Sequence, residues 1–423
     1  MSNLHSALNR ITPKLLLLAA MVVLLAATTQ RAPAQTLTTL HTFTGAPYDG
    51  ANSYAGLVMD AQGNLYGTAD QGGDGSCSSG CGIVFEVTAS GTEEVLYNFT
   101  QSSFDYFPYG AYPWGTLVSD ALGNLYGTTV VGGVNSMGTV FELTPSESGW
   151  TETVLYSFCS AQNCADGSVL YTGVVRDQQG NLYGATTYGG ARDTGTVFEV
   201  TPTGTETVLH SFRSLLRPSA PSLPAWLKDG AYPSGLILDS QGNLYGTTSA
   251  GGASSSGVAF KLDPSGTETL LHTFTGPPND GSSPGSSLIM DAQGNLYGTT
   301  ESGGAYNNGT VFKLTPSGTE TVLHSFAGSP NDGFFPEAPL IMDAQGNLYG
   351  TTFAGGNPNC VDGCGTIFEI TSSGTEKVLY SFTGGADGAY SHSSLIFDAQ
   401  GNLYGTTYAG GADNDGTVFK LTP

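Results

Sequence analysis

Short apolar runs separated by turn-forming residues recur along most of the chain. In one unit, residues 287–290, 296–300, 310–314 and 320–326 form four such runs, which we label A to D. Runs B to D are rich in β-branched and aromatic residues, a composition typical of half-buried strands. No helical period is sustained outside the first 34 residues. The pattern therefore predicts four short antiparallel strands per unit.

The unit is repeated seven times. Its core, Gly-Asn-Leu-Tyr-Gly, begins at Gly63, Gly123, Gly180, Gly242, Gly294, Gly346 and Gly401. Repeats at a fixed period of this length indicate a radially repeated or stacked fold. Seven units of four antiparallel strands predict an all-β protein, a seven-bladed β-propeller.

The two ends of the repeat region complement each other. Residues 36–43 match strand D, whereas the chain ends on a strand C at residues 417–421. The last unit therefore lacks its own strand D. We expect the N-terminal strand to pair into the last blade and close the ring, because closure removes an exposed sheet edge.

The predicted core consists of residues that recur in every unit. Strand B contributes the Leu of the motif, and strands C and D each contribute a Phe, such as Phe85 and Phe43. The motif Tyr is expected to pack between blades with its hydroxyl at a hydrogen-bond partner. The Gly after it indicates close approach of a neighbouring group to the backbone.

Residues 1–34 are predicted to be a secretory signal peptide. Arg10 and Lys14 precede an apolar run at residues 15–27, and residues 32–34 give a small-x-small cleavage pattern. An uncleaved membrane anchor is the alternative, but the run is shorter than the roughly 20 residues that a spanning helix needs. We expect a mature chain of residues 35–423 in the periplasm or outside the cell, without membrane insertion after cleavage.

The chain is strongly acidic. It carries 12 Lys and Arg against 35 Asp and Glu, a formal net charge of −23. Such a surface repels nucleic acid and anionic lipid, because binding phosphates requires basic side chains. We therefore expect cations, neutral polymers such as glycans, or proteins as binding partners. We also expect the protein to be a monomer.

Six cysteines fall into three local pairs, Cys77 with Cys81, Cys159 with Cys164 and Cys360 with Cys364. An even count in an exported chain predicts disulfides. Each bridge would close a small loop and stabilise the fold by only about 2 kcal/mol. A zinc site is the alternative, but it requires two pairs from different units to converge.

The run Asp-x-x-Gly-Asn-Leu-Tyr-Gly-Thr-Thr is followed by Gly-Gly and then by Gly-Thr-Val-Phe-Lys/Glu-Leu-Thr-Pro. This pattern resembles the GloVer-type tandem repeats of exported bacterial proteins and covers nearly all of residues 36–423. The strand order is also similar to that of NHL-type propellers. The resemblance implies a propeller fold and export. It implies no established activity and no catalytic residues.

The D–A and B–C connections share one face of the predicted propeller, which we call the loop face. They carry the length variation and all three cysteine pairs, and loops on a rigid scaffold commonly bind ligands. One acidic pattern repeats there, an Asp-Gly pair in six of the seven D–A loops. These candidate ligand-binding aspartates are Asp49, Asp166, Asp229, Asp280, Asp332 and Asp387. The alternative is that each Asp caps its own loop.

Departures from the repeat supply further candidates on the same face. The loop at residues 104–114 is heavily aromatic, and the largest insertion, residues 213–228, is proline-rich. The candidate ligand-binding residues from these regions and their neighbours are Tyr112, Trp114, Trp226, Tyr232 and His392. His392 departs from the strand-D position shared by four other histidines. A lone histidine in a loop is usually solvated or a cap.

The sequence thus predicts an exported binding or interaction module, with a polysaccharide or cell-surface glycan as the favoured ligand. One alternative is a glycan hydrolase or lyase that uses the Asp-Gly carboxylates. Another is a structural surface protein without a small ligand. No catalytic residue and no cofactor is assigned. Calcium is the candidate metal, because Asp413-Asn414-Asp415-Gly416 partly matches a calcium loop.

Overall fold

The computed structural model describes residues 35–74, 77–102, 107–213 and 229–422. In these ranges the chain forms seven antiparallel sheets of four strands, arranged as the blades of a ring. The predicted seven-bladed propeller is therefore confirmed. The predicted signal peptide and most of the proline-rich insertion, including Trp226, lie outside the described residues.

Each blade runs from an inner strand A to an outer strand D. In that order, the strands are Val58–Met59, Leu65–Ala69, Ile83–Val87 and Glu93–Asn98 in blade 1; Val118–Ser119, Leu125–Thr129, Thr139–Ser146 and Gly149–Ser157 in blade 2; and Val175–Arg176, Leu182–Thr186, Thr196–Val200 and Glu206–Ser211 in blade 3. Blade 4 has Ala231–Leu238, Leu244–Ala250, Val258–Leu262 and Glu268–Thr273; blade 5 has Ile289–Met290, Leu296–Thr300, Thr310–Leu314 and Glu320–Ser325; blade 6 has Ile341–Met342, Leu348–Thr352, Thr366–Ile370 and Glu376–Ser381; and blade 7 has Ile396–Phe397, Leu403–Thr407, Thr417–Thr422 and Thr36–Thr42.

Small additions decorate the loop face. Two-residue ladders pair Gly50–Ala51 with Gln71–Gly72, Gly281–Ser282 with Ser302–Gly303, and Gly333–Phe334 with Ala354–Gly355. A single 3₁₀ turn spans Gln162–Cys164.

Strand A is shorter than the sequence indicates in six of the blades. In blade 5 only Ile289 and Met290 pair with strand B, although the apolar run begins at residue 287. The residues before Ile289 leave the ladder and contact the neighbouring blade. The carbonyl of Ser286 accepts a hydrogen bond of 3.1 Å from the hydroxyl of Thr247 in blade 4. Bonding between blades thus replaces bonding within the sheet near the axis.

The ring is closed by the predicted exchange of strands. Thr36–Thr42 pairs antiparallel with Thr417–Thr422, from Thr36 opposite Thr422 to Thr42 opposite Thr417. One bulge interrupts the ladder between Thr39 and His41. Blade 7 therefore takes its outer strand from one end of the described chain and its inner three from the other.

Phenylalanine pairs join each blade to the next. The Phe at the end of strand D packs edge-to-face or tilted against the Phe of strand C in the following blade, with ring centroids 4.8–5.3 Å apart. All of these rings are fully buried. Burial of each ring contributes about 1.5–3 kcal/mol. The seven pairs are Phe43–Phe85, Phe99–Phe141, Phe158–Phe198, Phe212–Phe260, Phe274–Phe312, Phe326–Phe368 and Phe382–Phe419.

The repeated motif is a structural device, as the sequence predicts. In blade 5, Asp291 accepts hydrogen bonds from the backbone N–H groups of Gln293 and Asn295 and from the hydroxyl of Tyr297. The residue after Tyr297 must be Gly, because a Cβ at Gly298 would lie 2.7 Å from Cζ of Phe312. The motif therefore fixes the A–B turn and admits the core phenylalanine beside strand B.

Candidate functional site

A cavity of about 570 Å³ lies on the propeller axis, because residues from all seven blades line it. Each D–A connection contributes the residue that lies five positions after the Asp of Asp-Gly, or after Tyr109 in blade 2. We call these the axial residues. Unlike the surrounding scaffold, they change from blade to blade: Tyr54, Trp114, Tyr171, Ser234, Gly285, Glu337 and His392.

A second variable position follows strand B in each blade. Its residues are Asp70, Val130, Thr187, Ser249, Glu301, Phe353 and Tyr408. Thr187, Ser249 and Glu301 line the cavity directly. The propeller thus holds two non-repeating side chains per blade near its axis, within a scaffold that otherwise repeats.

One side of the cavity is an aromatic arc, formed by Tyr171, Trp114, Tyr54, His392 and Phe353. Tyr54 stacks on Trp114 with ring centroids 4.1 Å apart and an interplanar angle of 27°. Trp114 also contacts Tyr171 at 4.6 Å, and His392 lies between Tyr54 at 4.7 Å and Phe353 at 4.8 Å. The rings form a continuous apolar wall that spans five blades.

The opposite side of the cavity is lined by small residues. Blades 4 and 5 contribute Ser234 and Gly285 at the axial position, with Ser249 and Ser286 beside them. A Cβ built on Gly285 meets no atom within 4 Å. This side therefore leaves open space facing the aromatic arc.

Carboxyl groups flank the arc. Nδ1 of His392 lies 2.6 Å from Oε2 of Glu337 in a half-buried ion pair. Burial and the nearby Glu337 raise the pKa of the Glu301 carboxyl. These groups give the cavity acceptors for hydroxyl or amine donors.

Asp70 is the most buried acid near the arc. Its Oδ2 accepts a hydrogen bond of 3.1 Å from Nε1 of Trp114, and its Oδ1 is buried without a hydrogen-bond partner. Burial raises the pKa of Asp70 to about 7. The hydrogen bond from Trp114 acts in the opposite direction but is the weaker effect. Burial, the Tyr408 hydroxyl and the charges of Asp70 and Glu337 together raise the pKa of Tyr54. The tryptophan of the arc is thus held by an acid that titrates near neutrality.

Unusual backbone geometry fixes the loops that carry the axial residues. Two positions before each axial residue, the backbone has a φ of 55–60°, which residues other than glycine rarely adopt. The N–H at this position donates to a B–C loop carbonyl of the preceding blade, as from Val169 to Met137 at 2.8 Å. Strain of this kind clusters at binding sites. The seven residues are Asn52, Tyr112, Val169, Tyr232, Ser283, Phe335 and Tyr390.

The Asp-Gly aspartates do not reach the cavity. Asp280 accepts hydrogen bonds from the backbone N–H groups of Thr275 and Gly281 and from the Thr275 hydroxyl. Asp166 is bonded by Tyr156 and by the N–H groups of Ser160 and Ala161. Asp49, Asp332 and Asp387 are likewise bonded by groups of their own loops, and Asp229 by the N–H of Arg213. This geometry favours the loop-capping alternative.

Of the other predicted site residues, Trp114, Tyr232 and His392 line the cavity. Tyr112 is one of the strained residues and packs beside Phe107 instead. His392 was a candidate ligand-binding residue, for which a solvated or capping role was the alternative. Its ring is ion-paired and lies within the aromatic arc, because Glu337 occupies the axial position of the adjacent blade.

The sequence reasoning missed Tyr54, Tyr171 and Glu337. Each belongs to a D–A connection, and the features used to choose candidates there were the Asp-Gly pair and the unusual loops. Aligning the seven internal units would have identified them, because their position varies in a segment where the flanking glycines and aspartates repeat.

The three predicted disulfides are present, Cys77–Cys81, Cys159–Cys164 and Cys360–Cys364, and all lie on the loop face. In the loop at Asp413–Gly416, Asn414 accepts a hydrogen bond from the N–H of Gly410. In the part of the chain that the structure describes, clusters of three metal-ligating side chains lie elsewhere, and none includes Asp413 or Asp415.

These features define an axially pocketed, seven-bladed propeller built from one repeated unit. The model of the Gloeobacter/Verrucomicrobia repeat matches residues 28–225 and 232–423, so the chain belongs to this repeat family. The resemblance seen in the sequence is thereby confirmed. The disulfides and the repeat family fit a periplasmic or extracellular protein. No helix in the described ranges is long and apolar enough to span a membrane.

Similar solved structures support the fold alone. The extracellular domain of a one-component system, BT4673 from B. thetaiotaomicron, aligns with a TM-score of 0.51 at 10% identity over 90% of this chain and 40% of its own. Puromycin hydrolase gives 0.51 at 13% identity over 86% of this chain and 53% of its own. PorZ, a surface component of the type-IX secretion system of Porphyromonas gingivalis, aligns with a TM-score of 0.50 at 14% identity over 89% of this chain and 47% of its own. This chain thus spans about half, or less, of each of these relatives. No curated protein matches the sequence.

Proposed function

We propose that this protein is an exported binding module whose axial cavity takes a saccharide, such as the end of a polysaccharide or a cell-surface glycan. The observation that carries the proposal is the aromatic arc, which faces open space beside Gly285. Ligand pockets commonly pair an apolar wall with a few polar groups that fix orientation. The cavity has this composition.

A saccharide matches both halves of the cavity. The apolar face of a sugar ring stacks on flat aromatic side chains such as Trp114 and Tyr54. Its hydroxyl groups donate hydrogen bonds to carboxylates, and Glu301 and Glu337 border the same space. The strong negative charge of the chain also disfavours nucleic acid as the ligand.

The alternatives have less support. A hydrolase built on the Asp-Gly carboxylates would need acids that face the cavity, whereas Asp49 and Asp280 are not among its lining residues and are hydrogen-bonded by their own loops. A purely structural role would suit a face without a pocket, and this face has one. Protein partners would engage the broader loop face, whereas the aromatic arc and the open space beside Gly285 favour a small ligand.

Blocking the cavity tests the proposal. Gly285→Trp is expected to fill the open space without strain, because a Cβ there contacts nothing and no positive φ is required. Gly285→Ala is the matched control and should leave the cavity open. Residues 35–423 would be screened on a glycan array and any hit measured by calorimetry. We expect binding to the parent protein and to Gly285→Ala, and loss of binding by Gly285→Trp.

A second pair of variants tests the aromatic arc. Trp114→Ser introduces the residue that blade 4 carries at its axial position, so the fold is expected to tolerate it. Loss of a stacked aromatic anchor should weaken binding by about 2 kcal/mol, or about 30-fold. Tyr306→Ala, an exposed aromatic outside the cavity lining, should have no effect. If no glycan binds the parent protein, or if Trp114→Ser binds as tightly as the parent, the proposal is wrong.

A further inference from the structure

In the described part of the chain, four side-chain clusters lie between the outer strands of neighbouring blades, and none of their residues lines the axial cavity. Each contains a His from the end of strand D, the Asp of the following Asp-Gly pair, and a Glu that begins strand D of the next blade. We call them the His clefts. They are His41–Asp49–Glu93, His210–Asp229–Glu268, His272–Asp280–Glu320 and His324–Asp332–Glu376.

The ligand-type atoms of each cleft converge. Nε2 of His210 lies 3.6 Å from Oδ2 of Asp229, and Nε2 of His272 lies 3.2 Å from Oδ2 of Asp280. In the other two clefts the corresponding distance is 3.1 Å. Within each cleft the atoms of all three side chains lie within 4.8 Å of one another. A tetrahedral ion with bonds of about 2 Å has ligands roughly 3.3 Å apart.

An independent observation points to a missing partner. In every His cleft, Oε1 of the glutamate is buried without a hydrogen-bond partner, and in one cleft Nε2 of His210 is unpaired as well. Buried polar atoms are normally satisfied, and unpaired ones call for a bound group. When both acids are deprotonated to bind a metal, a neutral imidazole with two carboxylates carries two negative charges, which one divalent cation neutralises.

We propose that each His cleft is a binding site for a divalent transition metal ion, with zinc as the expected occupant. One imidazole nitrogen and two carboxylate oxygens are the ligand types that zinc accepts, and a water molecule completes four-coordination. The ion would join strand D of one blade to strand D of the next. Its chemical role is to cross-link blades, and the site is separate from the axial cavity.

One further pair of blades contains a natural counterpart without the imidazole. Tyr156 replaces the histidine beside Asp166 and Glu206, and its hydroxyl donates to Asp166 at 2.8 Å. Glu206 has the same unpaired buried oxygen, so the glutamate is positioned by its own strand and the histidine is the residue that differs. A phenol that donates to the aspartate is a poor metal ligand at neutral pH. The Tyr156 cleft therefore provides a substitution that the fold is known to accommodate.

The test uses the untagged chain, with Zn²⁺ alone as the probe. Equilibrium dialysis at about pH 7.5, where the ligands are deprotonated in the bound state, should give up to four tightly bound Zn²⁺ per chain. His272→Tyr should remove one of them, and replacing all four cleft histidines with Tyr should remove all. His392→Ala, which alters the axial cavity alone, should leave the number unchanged.

Two further measurements make the result decisive. Co²⁺ bound in place of Zn²⁺ should give visible absorption bands typical of a four-coordinate site, and these should be absent from the fourfold Tyr variant. Zn²⁺ should raise the melting temperature of the parent protein and not of that variant, because an ion that binds only the folded state stabilises it. Equal zinc binding by parent and variant, or binding by neither, would overturn the proposal and leave the histidines as hydrogen-bond donors to aspartate.

Discussion

Asp291 organises its turn through four hydrogen bonds that converge on one carboxylate. Oδ1 accepts from the N–H groups of Gln293 and Asn295, and Oδ2 accepts from the Asn295 side chain and the Tyr297 hydroxyl. These bonds lower the pKa of Asp291, although its partial burial acts in the opposite direction. The same arrangement recurs in the other blades, so a single residue type sets seven turns.

We predict that Asp291→Ala lowers the free energy of unfolding by about 2 kcal/mol, because the donors that face the carboxylate lose a charged acceptor. Asp263, which makes a similar turn on the C–D side with exposed hydrogen bonds, is the comparison. Asp263→Thr, the residue that the six other blades carry at this position, should have a much smaller effect. Urea denaturation measures both, and equal losses would contradict the prediction.

The sequence predicts scaffold residues better than site residues. The turn aspartate, the core phenylalanines and the motif tyrosine repeat, and repetition identifies them. The axial residues do not repeat, and neither Tyr54 nor Glu337 has a neighbour in sequence that signals its role. Their proximity arises only when seven loops converge on one axis. His392 was named as a candidate because it departs from the repeat, but its partner Glu337 was not predicted, since it comes from another blade.

The closing strand is the element on which the integrity of the ring depends. Thr36–Thr42 covers the edge of Thr417–Thr422, and Phe43 at its end is fully buried against Phe85 of blade 1. Without it, a six-residue strand is left with unpaired backbone groups, a template for association with other chains.

We predict that a chain beginning at Thr44 has a lower melting temperature than one beginning at Gln35 and forms oligomers. A synthetic peptide of residues 35–43 should restore the melting temperature and the monomer, whereas a scrambled peptide should not. Thermal denaturation and size-exclusion chromatography give the readouts. A truncated chain that remains monomeric and equally stable would show that closure contributes little.

Element boundaries were predictable where the ladder is regular. Strands B and C of blade 5 coincide with the predicted ranges, because alternation and turn residues delimit them. Strand A was predicted to begin too early. Its first residues are buried against the preceding blade. Hydrophobicity does not distinguish burial between blades from pairing within a sheet.

For the whole molecule, buried acids make stability depend on pH. Burial raises the pKa of Glu152 to about 8, burial and the nearby Asp166 raise that of Glu206 to about 7, and burial raises that of Asp70 to about 7. In the unfolded chain these groups titrate near pH 4. Between these values the folded state binds more protons than the unfolded state. Their contribution to stability is complete below about pH 4 and is lost as pH rises through 7 to 8.

We therefore predict a lower urea midpoint at about pH 8 than at about pH 5, measured with a chelator present. Glu152→Gln should reduce this difference, because an amide in the same place does not titrate. Added salt controls for general repulsion among the many acidic groups, since it screens exposed charges more than buried ones. A midpoint that is constant or rises over this interval, or a variant with the parent's pH dependence, would contradict the prediction.

The sequence was most informative about the architecture of the whole molecule. The number of blades, the strand order and the exchange of strands at the seam follow from counting the motif and matching the two ends. The axial cavity did not follow, because its size depends on how seven blades of unequal loops are inclined to one axis. The open space beside Gly285 is a property of the assembled ring.

The seam in blade 7 also sets an order of events. A chain is synthesised from its N-terminus, so Thr36–Thr42 is made before all the other described strands and its partner Thr417–Thr422 is made after them. Six blades can form while Thr36–Thr42 is still unpaired. The final pairing then joins segments separated by nearly the whole described chain. Such long-range pairing is slow. An interrupted product would lack Thr417–Thr422 and leave Thr36–Thr42 without its partner, and would thereby expose an unpaired strand to proteases and chaperones.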